Sequence, residues 1–458
     1  MRLFLHNIGK IKEASVDMEG ITVIAGENNT GKSTVGKALF LYLHSFMDVD
    51  EYVRNDAAET MQREMRQPME TFDLLCRKLS NAQRRHKVSR AGEIRREYAA
   101  KITNNDFENL DQTLDALAAD HADLYGLGLK DFRKVQTDYD AWKQKLKDKV
   151  INLLEISEST IAARKVTNDV ERYFNGDIIT IGTREGEIRA EYEEGRKKNT
   201  LQFERDSKGA KDFCISIEQE ENVSASPVYI ESPKTVDQLY RATKGRSGVS
   251  GYFSEILSPN ALGSTIDLPE NANTDTAATA TQQVQAAELL KKFKENIEET
   301  VGGSLQFNIV NGLQFQEKGR SRMVDVSNLS NGIKALTLLE YAIECGCLGT
   351  GDCLILDEPE INLHPAWQLK YAEQIVYLQK LLGLSIVLTT HTPYFLEAVE
   401  LYSRKYKIEK NCHYYMTEVE NDKVRLIEVT ENTEPIYKKL ARPFEELDNL
   451  REVLEQRG

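Results

Sequence analysis

Near its start the chain alternates apolar and polar segments in a way that predicts a strand, a loop and a helix. Residues 21–25 (ITVIA) form a β-branched apolar run, which is typical of a buried strand. Residues 35–41 (VGKALFL) predict a helix, and the connecting segment 26–33 is rich in Gly and Asn. Together with a strand, a turn and a second strand, this unit is expected to fill about the first 45 residues.

The pattern changes twice in the middle of the chain. From about 50 to 174 the sequence is charged and mostly helical, with an apolar stripe from Leu146 to Ile161 that Ser157 interrupts. The stripe is too short for a coiled-coil arm, so a helical bundle inserted into a larger domain is expected. Later segments predict strands at 178–181, 187–192, 200–204 and 228–230, a loop at 269–283 and a helix at 286–301.

Composition narrows the class of protein. The 458 residues suffice for two or three compact units. A net charge of −14 argues against a protein that coats nucleic acid, although a local basic groove is compatible with this net charge. The chain has no apolar run of about 18 residues and no signal-peptide core, so a cytoplasmic protein is expected. Cys345, Cys347 and Cys353 lie close together without zinc-finger spacing and are expected to be small apolar residues.

Segment 26–33 fits the phosphate-loop pattern G-x-x-x-x-G-K-[ST] in the strand–loop–helix context that the motif requires. Backbone N–H groups of such a loop and the following helix dipole form an anion site. Lys32 is expected to reach the β- and γ-phosphates of a nucleoside triphosphate, and Ser33 to hold Mg²⁺. The candidate ATP-binding residues of the loop are Gly26, Asn28, Asn29, Thr30, Gly31, Lys32, Ser33 and Thr34.

Two later apolar strands end in polar residues. The run 354–356 leads into Asp357, expected to hold Mg²⁺, and Glu358, expected to polarise the attacking water. The run 384–390 leads into His391, which can reach a γ-phosphate because ligands bind at the carboxyl ends of strands in open α/β sheets. A second anion site is predicted where Ser330 and the Gly332 amide precede a helix at 335–341, with an ordinary capped helix as the alternative.

The order of these motifs resembles the ATPase heads of the ABC/SMC superfamily, over roughly residues 1–45 and 226–400. The resemblance identifies residues 26–33 as Walker A and residues 354–358 as Walker B. It also makes residues 329–334, including Lys334, the signature motif and His391 the switch histidine. Asn29 and Asn331 stand where that family usually has Gly, and Asn tolerates left-handed backbone well. For the Q-loop position, which would help to hold the metal, Glu231 is the first candidate and Gln238 the second.

The segment 357–365 (DEPEINLHP), with His364 where many family members have Asp, resembles the OLD-like (AAA15) branch. The resemblance implies an α/β P-loop NTPase head with a mixed sheet core and an inserted helical subdomain. It also implies Mg²⁺-dependent ATP hydrolysis and a homodimer or higher homo-oligomer that closes around ATP, with Ser330 and Gly332 acting in trans. The expected domains are 1–49, the Walker A part of the head; 50–174, the insertion; 175–400, the rest of the head; and 401–458, a hairpin near 414–429 and a helix at 443–455.

No nuclease domain is expected after His391, so any cutting of nucleic acid would need a separate protein. This plan resembles the stand-alone ATPases of two-gene antiviral systems, first the Septu type (PtuA family), whose partner is an HNH nuclease, and second the PARIS type (AriA family). The alternative is a recombination or repair ATPase of the SMC/RecF-like class that binds DNA. An ATPase subunit of a membrane transporter fits less well, because the helical insertion and the NLHP segment do not suit it.

Overall fold

The computed structural model describes residues 1–47, 49–80, 88–104, 108–205, 213–232, 280–308, 312–344, 348–420 and 423–455. Gln238, Cys345, Cys347 and most of the predicted loop at 269–283 lie outside these residues. Among the described helices, none combines the length and apolar character that crossing a membrane requires.

Helices occur before, within and after the predicted helical insertion at 50–174. The described α-helices are α1 (Lys32–Phe46), α2 (Val49–Ser80), α3 (Val88–Thr103), α4 (Leu110–Asp123), α5 (Gln136–Leu154), α6 (Glu158–Phe174), α7 (Ala280–Val301), α8 (Asn331–Glu344), α9 (Pro365–Leu382), α10 (Pro393–Tyr406) and α11 (Glu434–Glu455).

The strands fall into a large mixed sheet and a small antiparallel one. They are β1 (Arg2–Ile8), β2 (Ile11–Asp17), β3 (Ile21–Ala25), β4 (Glu185–Tyr192), β5 (Lys197–Arg205), β6 (Phe213–Gln219), β7 (Pro227–Ile230), β8 (Gly303–Asn308), β9 (Gly312–Glu317), β10 (Met323–Asp325), β11 (Cys353–Leu356), β12 (Ser385–Thr390), β13 (Cys412–Glu420) and β14 (Lys423–Glu428). In the described part of the chain the large sheet has 11 strands in the order β6-β5-β4-β1-β2-β14-β13-β3-β12-β11-β7, and the small sheet has the order β10-β9-β8.

The strands that matter for function run parallel to one another. Strands β7, β11, β12, β3 and β13 are neighbours, and each adjacent pair is parallel. Their carboxyl ends therefore meet at one edge of the sheet, which is where α/β proteins bind ligands. This edge receives Glu231 after β7, Asp357 after β11, His391 after β12 and Gly26 after β3.

Both faces of this parallel part are covered. Every residue of β3, β7 and β11 is buried, as apolar runs without alternation predict. Val23 of β3 belongs to a core with α8, α9 and α10, while its neighbour Ile24 belongs to a core with α1. The predicted α/β class with a mixed sheet core and an inserted helical subdomain is confirmed.

The chain divides into two compact units. One comprises Met1–Met47 and Val166–Gly458, and the other, Asp48–Lys165, is helical. Phe72 of α2 lies at the centre of the helical unit and stacks on Trp142 of α5, with ring centroids 4.2 Å apart. The domain boundaries given above stay predictions; the compact helical unit ends at Lys165, within α6, rather than at residue 174.

Three local predictions were wrong. The predicted strand at 178–181 is a single bridge between Ile179 and Ile8, because the chain turns at Gly182, where φ is 85°. The stripe from Leu146 to Ile161 does not lie on one helix, since α5 ends at Leu154 and Ser157 accepts a hydrogen bond from the first turn of α6. The last helix begins at Glu434 rather than at residue 443, and Pro443 lies inside it.

Candidate active site

The phosphate loop connects the end of β3 to the start of α1. Asn29 has a φ of 64° and Gly31 a φ of 76°, so both occupy left-handed backbone, which Asn and Gly adopt at low cost. Gly26 allows close approach of β13, because an added Cβ would lie 1.9 Å from Thr417 Oγ1. Thr417 also donates a hydrogen bond to Thr30 Oγ1 at 2.9 Å, so β13 contacts the phosphate loop and stabilises it.

Lys32 points into the loop that precedes it. Its Nζ donates hydrogen bonds to the carbonyl oxygens of Gly26, at 3.0 Å, and Glu27, at 2.8 Å. The same atom lies 3.1 Å from Glu358 Oε1, and the Lys32 side chain is only 3% exposed. The buried Lys32 ammonium thus faces the interior of the loop, where a bound anion can replace Glu358 as the ion-pair partner of Lys32.

Asp357 accepts hydrogen bonds from hydroxyl groups of three separate elements. Its Oδ1 accepts from Ser33 of α1, at 3.0 Å, and from Thr389 of β12, at 2.6 Å. Its Oδ2 accepts from Tyr229 of β7, at 2.9 Å. Burial raises the pKa of Tyr229 well above its ordinary value, and the charges of Asp357, Glu231 and Glu358 act in the same direction.

The oxygen atoms around Asp357 are suitable ligands for a magnesium ion. Mg²⁺ prefers oxygen ligands and is commonly held through one or two carboxylates with waters and phosphate. The adjacent Ser33 hydroxyl and Asp357 carboxylate supply such oxygens. Glu231, the third predicted metal ligand, follows β7 directly and has an exposed side chain at the same edge. Its role as a ligand stays a prediction.

Glu358 and His391 face each other across the end of the sheet. His391 Nδ1 lies 3.6 Å from Glu358 Oε2, and the backbone N–H of Glu358 donates to Thr389 Oγ1 at 2.9 Å. Glu358 has a φ of 47°, an uncommon value for a non-glycine residue. Such backbone persists where surrounding contacts determine it, and it holds the Glu358 carboxylate between Lys32 and His391.

A cavity of about 440 Å³ opens beside the phosphate loop. This volume is within the range of small-molecule sites. Its lining combines the loop with residues that sequence analysis did not single out, of which Lys10, Lys37, Tyr173, Asp177 and Ile181 are examples. Lys10 also donates a hydrogen bond to Asn29 Oδ1 at 2.5 Å, which ties the β1–β2 turn to the loop.

The predicted signature segment lies at the start of α8, and its role as an anion site stays a prediction. Ser330 Oγ accepts a hydrogen bond from the Ile333 amide at 3.5 Å, as a weak helix cap does. Gly332 lies against the ring of Trp367, where an added Cβ would be 2.5 Å from Trp367 Cδ2. Lys334 is 4% exposed. None of these residues belongs to the described lining of the loop cavity.

The side chains that hold the acids in place are not predicted by the sequence motifs. Tyr229 and Thr389 bind Asp357, and Thr390 binds Glu360, the second glutamate of the segment 357–360. The adjacent threonines directly before His391 were a usable signal, because a strand end needs hydroxyl donors to hold a buried carboxylate. Tyr229 gave no such signal, since its register beside Asp357 depends on the pairing of β7 with β11.

A phosphate loop, two strand-end acids and a strand-end histidine at one edge of a parallel sheet define a P-loop nucleotide hydrolase. Residues 1–396 match the AAA ATPase domain family, AAA_15, and the chain therefore belongs to that family. The family match supports ATPase function and nucleotide binding, and it confirms the predicted AAA15 type of ATPase. The finer resemblance to Septu and PARIS ATPases stays a prediction.

Solved structures of SMC heads are among those similar to this chain. The SMC head domain from Thermotoga maritima is 11% identical, with 93% of this chain and 98% of that chain covered, at a TM-score of 0.36. The Smc head domain with an extended coiled coil bound to the C-terminal domain of ScpA, derived from Pyrococcus furiosus, is 10% identical, with 98% of each chain covered, at a TM-score of 0.40. A search of curated protein sequences found no match.

Proposed function

We propose that this chain binds ATP with Mg²⁺ in the cavity beside the phosphate loop and hydrolyses its γ-phosphate. The convergence of Lys32, Ser33, Asp357 and Glu358 at one sheet edge is the observation that carries the proposal. Lys32 Nζ provides the positive charge that binds the phosphates. When phosphate oxygens replace Glu358 beside Lys32, the Glu358 carboxylate becomes free for another partner. Mg²⁺, when bound beside Ser33 and Asp357, neutralises the charge of the phosphates.

Glu358 is the candidate group for orienting the attacking water. Its carboxylate lies at the strand end with one oxygen near Lys32 and the other near His391. Once phosphate has replaced it on Lys32, Glu358 can accept a hydrogen bond from water and hold that water for in-line attack. His391, which is 35% exposed in its side chain, is the candidate donor to the γ-phosphate.

Variants at Lys32 and Glu358 test this proposal. Lys32→Ala should lose ATP affinity, because it removes the cation of the site, whereas Glu358→Gln should bind ATP and hydrolyse it slowly. Lys101→Ala, which removes an exposed lysine of α3 outside the cavity lining, is the control for general loss of charge. ATP affinity measured by calorimetry and phosphate release measured at saturation separate the two effects. Equal ATP affinity in wild type and Lys32→Ala would overturn the assignment.

We further propose that two chains close around ATP, with Ser330 and Gly332 of one facing the phosphate loop of the other. Ser330 is exposed, and Asn331 Nδ2 reaches Asn362 O at 3.5 Å, so the signature and the segment after Walker B form one surface. Ile361 on that surface is 39% exposed. Glu358→Gln should form dimers when ATP is added, which light scattering after size-exclusion chromatography can measure; a protein that stays monomeric at saturating ATP would contradict the proposal.

The closed dimer is proposed to regulate a separate effector, a nuclease such as an HNH protein, in defence against phage. The resemblance to Septu-type ATPases supports this proposal, and α11 offers an apolar surface for it. Leu447, Leu450 and Leu454 recur at helical spacing there and are 58%, 54% and 61% exposed. Co-purification with the product of the neighbouring gene tests the role. A triple substitution of these leucines by serine should weaken capture of that product and spare ATP binding; capture unaffected by the substitution would argue against the surface.

A further inference from the structure

Glu360 is a buried carboxylate beside the candidate active site, and the function described so far does not use it. The residue is only 2% exposed. Its Oε1 accepts a hydrogen bond from Thr390 Oγ1 at 2.5 Å and another from the backbone N–H of His391 at 3.2 Å. Burial of a carboxylate costs desolvation energy, which its hydrogen bonds and nearby charges must offset.

The ring of His391 lies between two carboxylates. Its Nδ1 is 3.7 Å from Glu360 Oε1 and 3.6 Å from Glu358 Oε2. Both His391 Nδ1 and Glu360 Oε2 are buried and have no hydrogen-bond partner among the described residues. A small rotation of the ring would let Nδ1 donate to either carboxylate, so Glu358 and Glu360 compete for one donor.

We infer that Glu360 is a positioning residue, which holds His391 at the strand end and binds its Nδ1, so that Glu358 stays available to orient water. The inference rests on the proposed ATP hydrolysis at this site. In the imidazolium form both ring nitrogens are hydrogen-bond donors, so engagement of Nδ1 by Glu360 fixes the direction of Nε2, which can then donate to phosphate. Burial also raises the pKa of Glu360, as expected for a carboxylate shielded from water.

Glu360→Gln is the most direct variant, because Gln keeps an oxygen acceptor for Thr390 and for the His391 amide but removes the charge. Among the described residues, Glu358 is then the one carboxylate left near His391 Nδ1. We expect kcat for ATP hydrolysis to fall about tenfold or more, as is typical when a group that orients a functional side chain is lost, with ATP affinity unchanged. The control is Glu340→Gln, which alters another carboxylate that is 1% exposed, on α8, and should leave kcat unchanged.

The double variant separates positioning from a structural role. If Glu360 acts through His391, then Glu360→Gln should change kcat by less than about twofold in a protein that already carries His391→Ala, because the two losses are not additive for coupled residues. Independent, multiplying losses would overturn the inference. Thr390→Val, which removes the hydroxyl bound to Glu360, should repeat the loss of kcat, and Thr390→Ser should restore it.

The outcomes also separate this inference from the function on which it rests. Wild-type protein that hydrolyses ATP, with Glu360→Gln equally active, overturns the inference alone. Wild-type protein that hydrolyses no ATP at any concentration overturns the proposed function and the inference with it. Should Glu360→Gln fail to fold, the Thr390→Val and Thr390→Ser pair decides the question, since a loss of kcat that the serine variant does not restore contradicts the role of the hydroxyl.

Discussion

Substitution of Tyr229 by Phe tests whether the hydroxyl groups around Asp357 prepare a magnesium site. Tyr229 is fully buried, and its hydroxyl is the described donor to Asp357 Oδ2, whereas Oδ1 has two other donors. The substitution keeps the ring and its edge-on contact with Phe40, whose centroid is 6.1 Å away. It therefore removes one hydrogen bond to a charged group and leaves Oδ2 without a described partner.

The expected effect follows from that one bond. A hydrogen bond to a charged group contributes about 1.5–3 kcal/mol to stability, so the free energy of unfolding of the ligand-free protein should fall by about that amount. The carboxylate loses the donor that fixes its orientation, and loss of an outer partner of a metal ligand commonly costs about 10–100-fold in metal affinity. The Mg²⁺ concentration needed for half-maximal ATPase should rise correspondingly, with ATP affinity measured without Mg²⁺ unchanged.

The assay combines urea unfolding with a Mg²⁺ titration of ATP hydrolysis and of ATP binding. Tyr371→Phe is the matched control, because Tyr371 is a tyrosine of α9 that is 2% exposed and lies outside the loop cavity lining. It should leave the Mg²⁺ requirement unchanged. If Tyr229→Phe shows the wild-type Mg²⁺ requirement, the account of Asp357 as a prepared metal ligand is refuted.

Two further predictions concern the signature segment and pH. Gly332→Ala should lower both the melting temperature and the ATPase activity, because the added Cβ would lie 2.5 Å from Trp367 Cδ2. The control is Gly92→Ala in α3, where an added Cβ meets nothing within 4 Å and should stabilise the protein by about 1 kcal/mol. A Gly332→Ala variant with wild-type melting temperature and activity would contradict the close packing. Burial raises the pKa of Glu360 above its ordinary value of 4.5, so the folded protein takes up a proton more readily than the unfolded chain does. The stability of wild type relative to Glu360→Gln should therefore decrease as pH rises from 4.5 through the folded pKa, measured by thermal unfolding at several pH values; a difference that stays flat would contradict it.

The parts of the site that sequence could predict are those formed by local segments. The phosphate loop depends on contiguous residues from Gly26 to Ser33, and the acids directly follow the apolar strand β11. The pattern also indicates that these strand ends share an edge, because buried apolar runs predict parallel strands. The prediction of these features does not depend on where the other strands lie in the sheet.

The remaining features depend on pairing between distant segments, which a single sequence does not determine. Tyr229 reaches Asp357, which is 128 residues away along the chain, only because β7 pairs in parallel with β11. Thr417 meets the phosphate loop because β13 joins the sheet next to β3, so the predicted C-terminal hairpin is part of the central sheet. The sequence predicts a last helix that begins at Pro443, yet α11 begins at Glu434 and accommodates this proline, which lacks an N–H donor, in its interior.

Complementation between two inactive variants tests most directly the central claim, an ATPase site shared by two chains. Lys32→Ala disables the phosphate loop and Ser330→Arg disables the signature, so each homodimer should be inactive. In a mixed dimer, one interface retains an intact loop opposite an intact signature. With random exchange half of the dimers are mixed, each with one of two sites intact, so an equimolar mixture should recover about a quarter of wild-type ATP hydrolysis. No recovery at any ratio, with exchange of subunits demonstrated, would contradict the shared site.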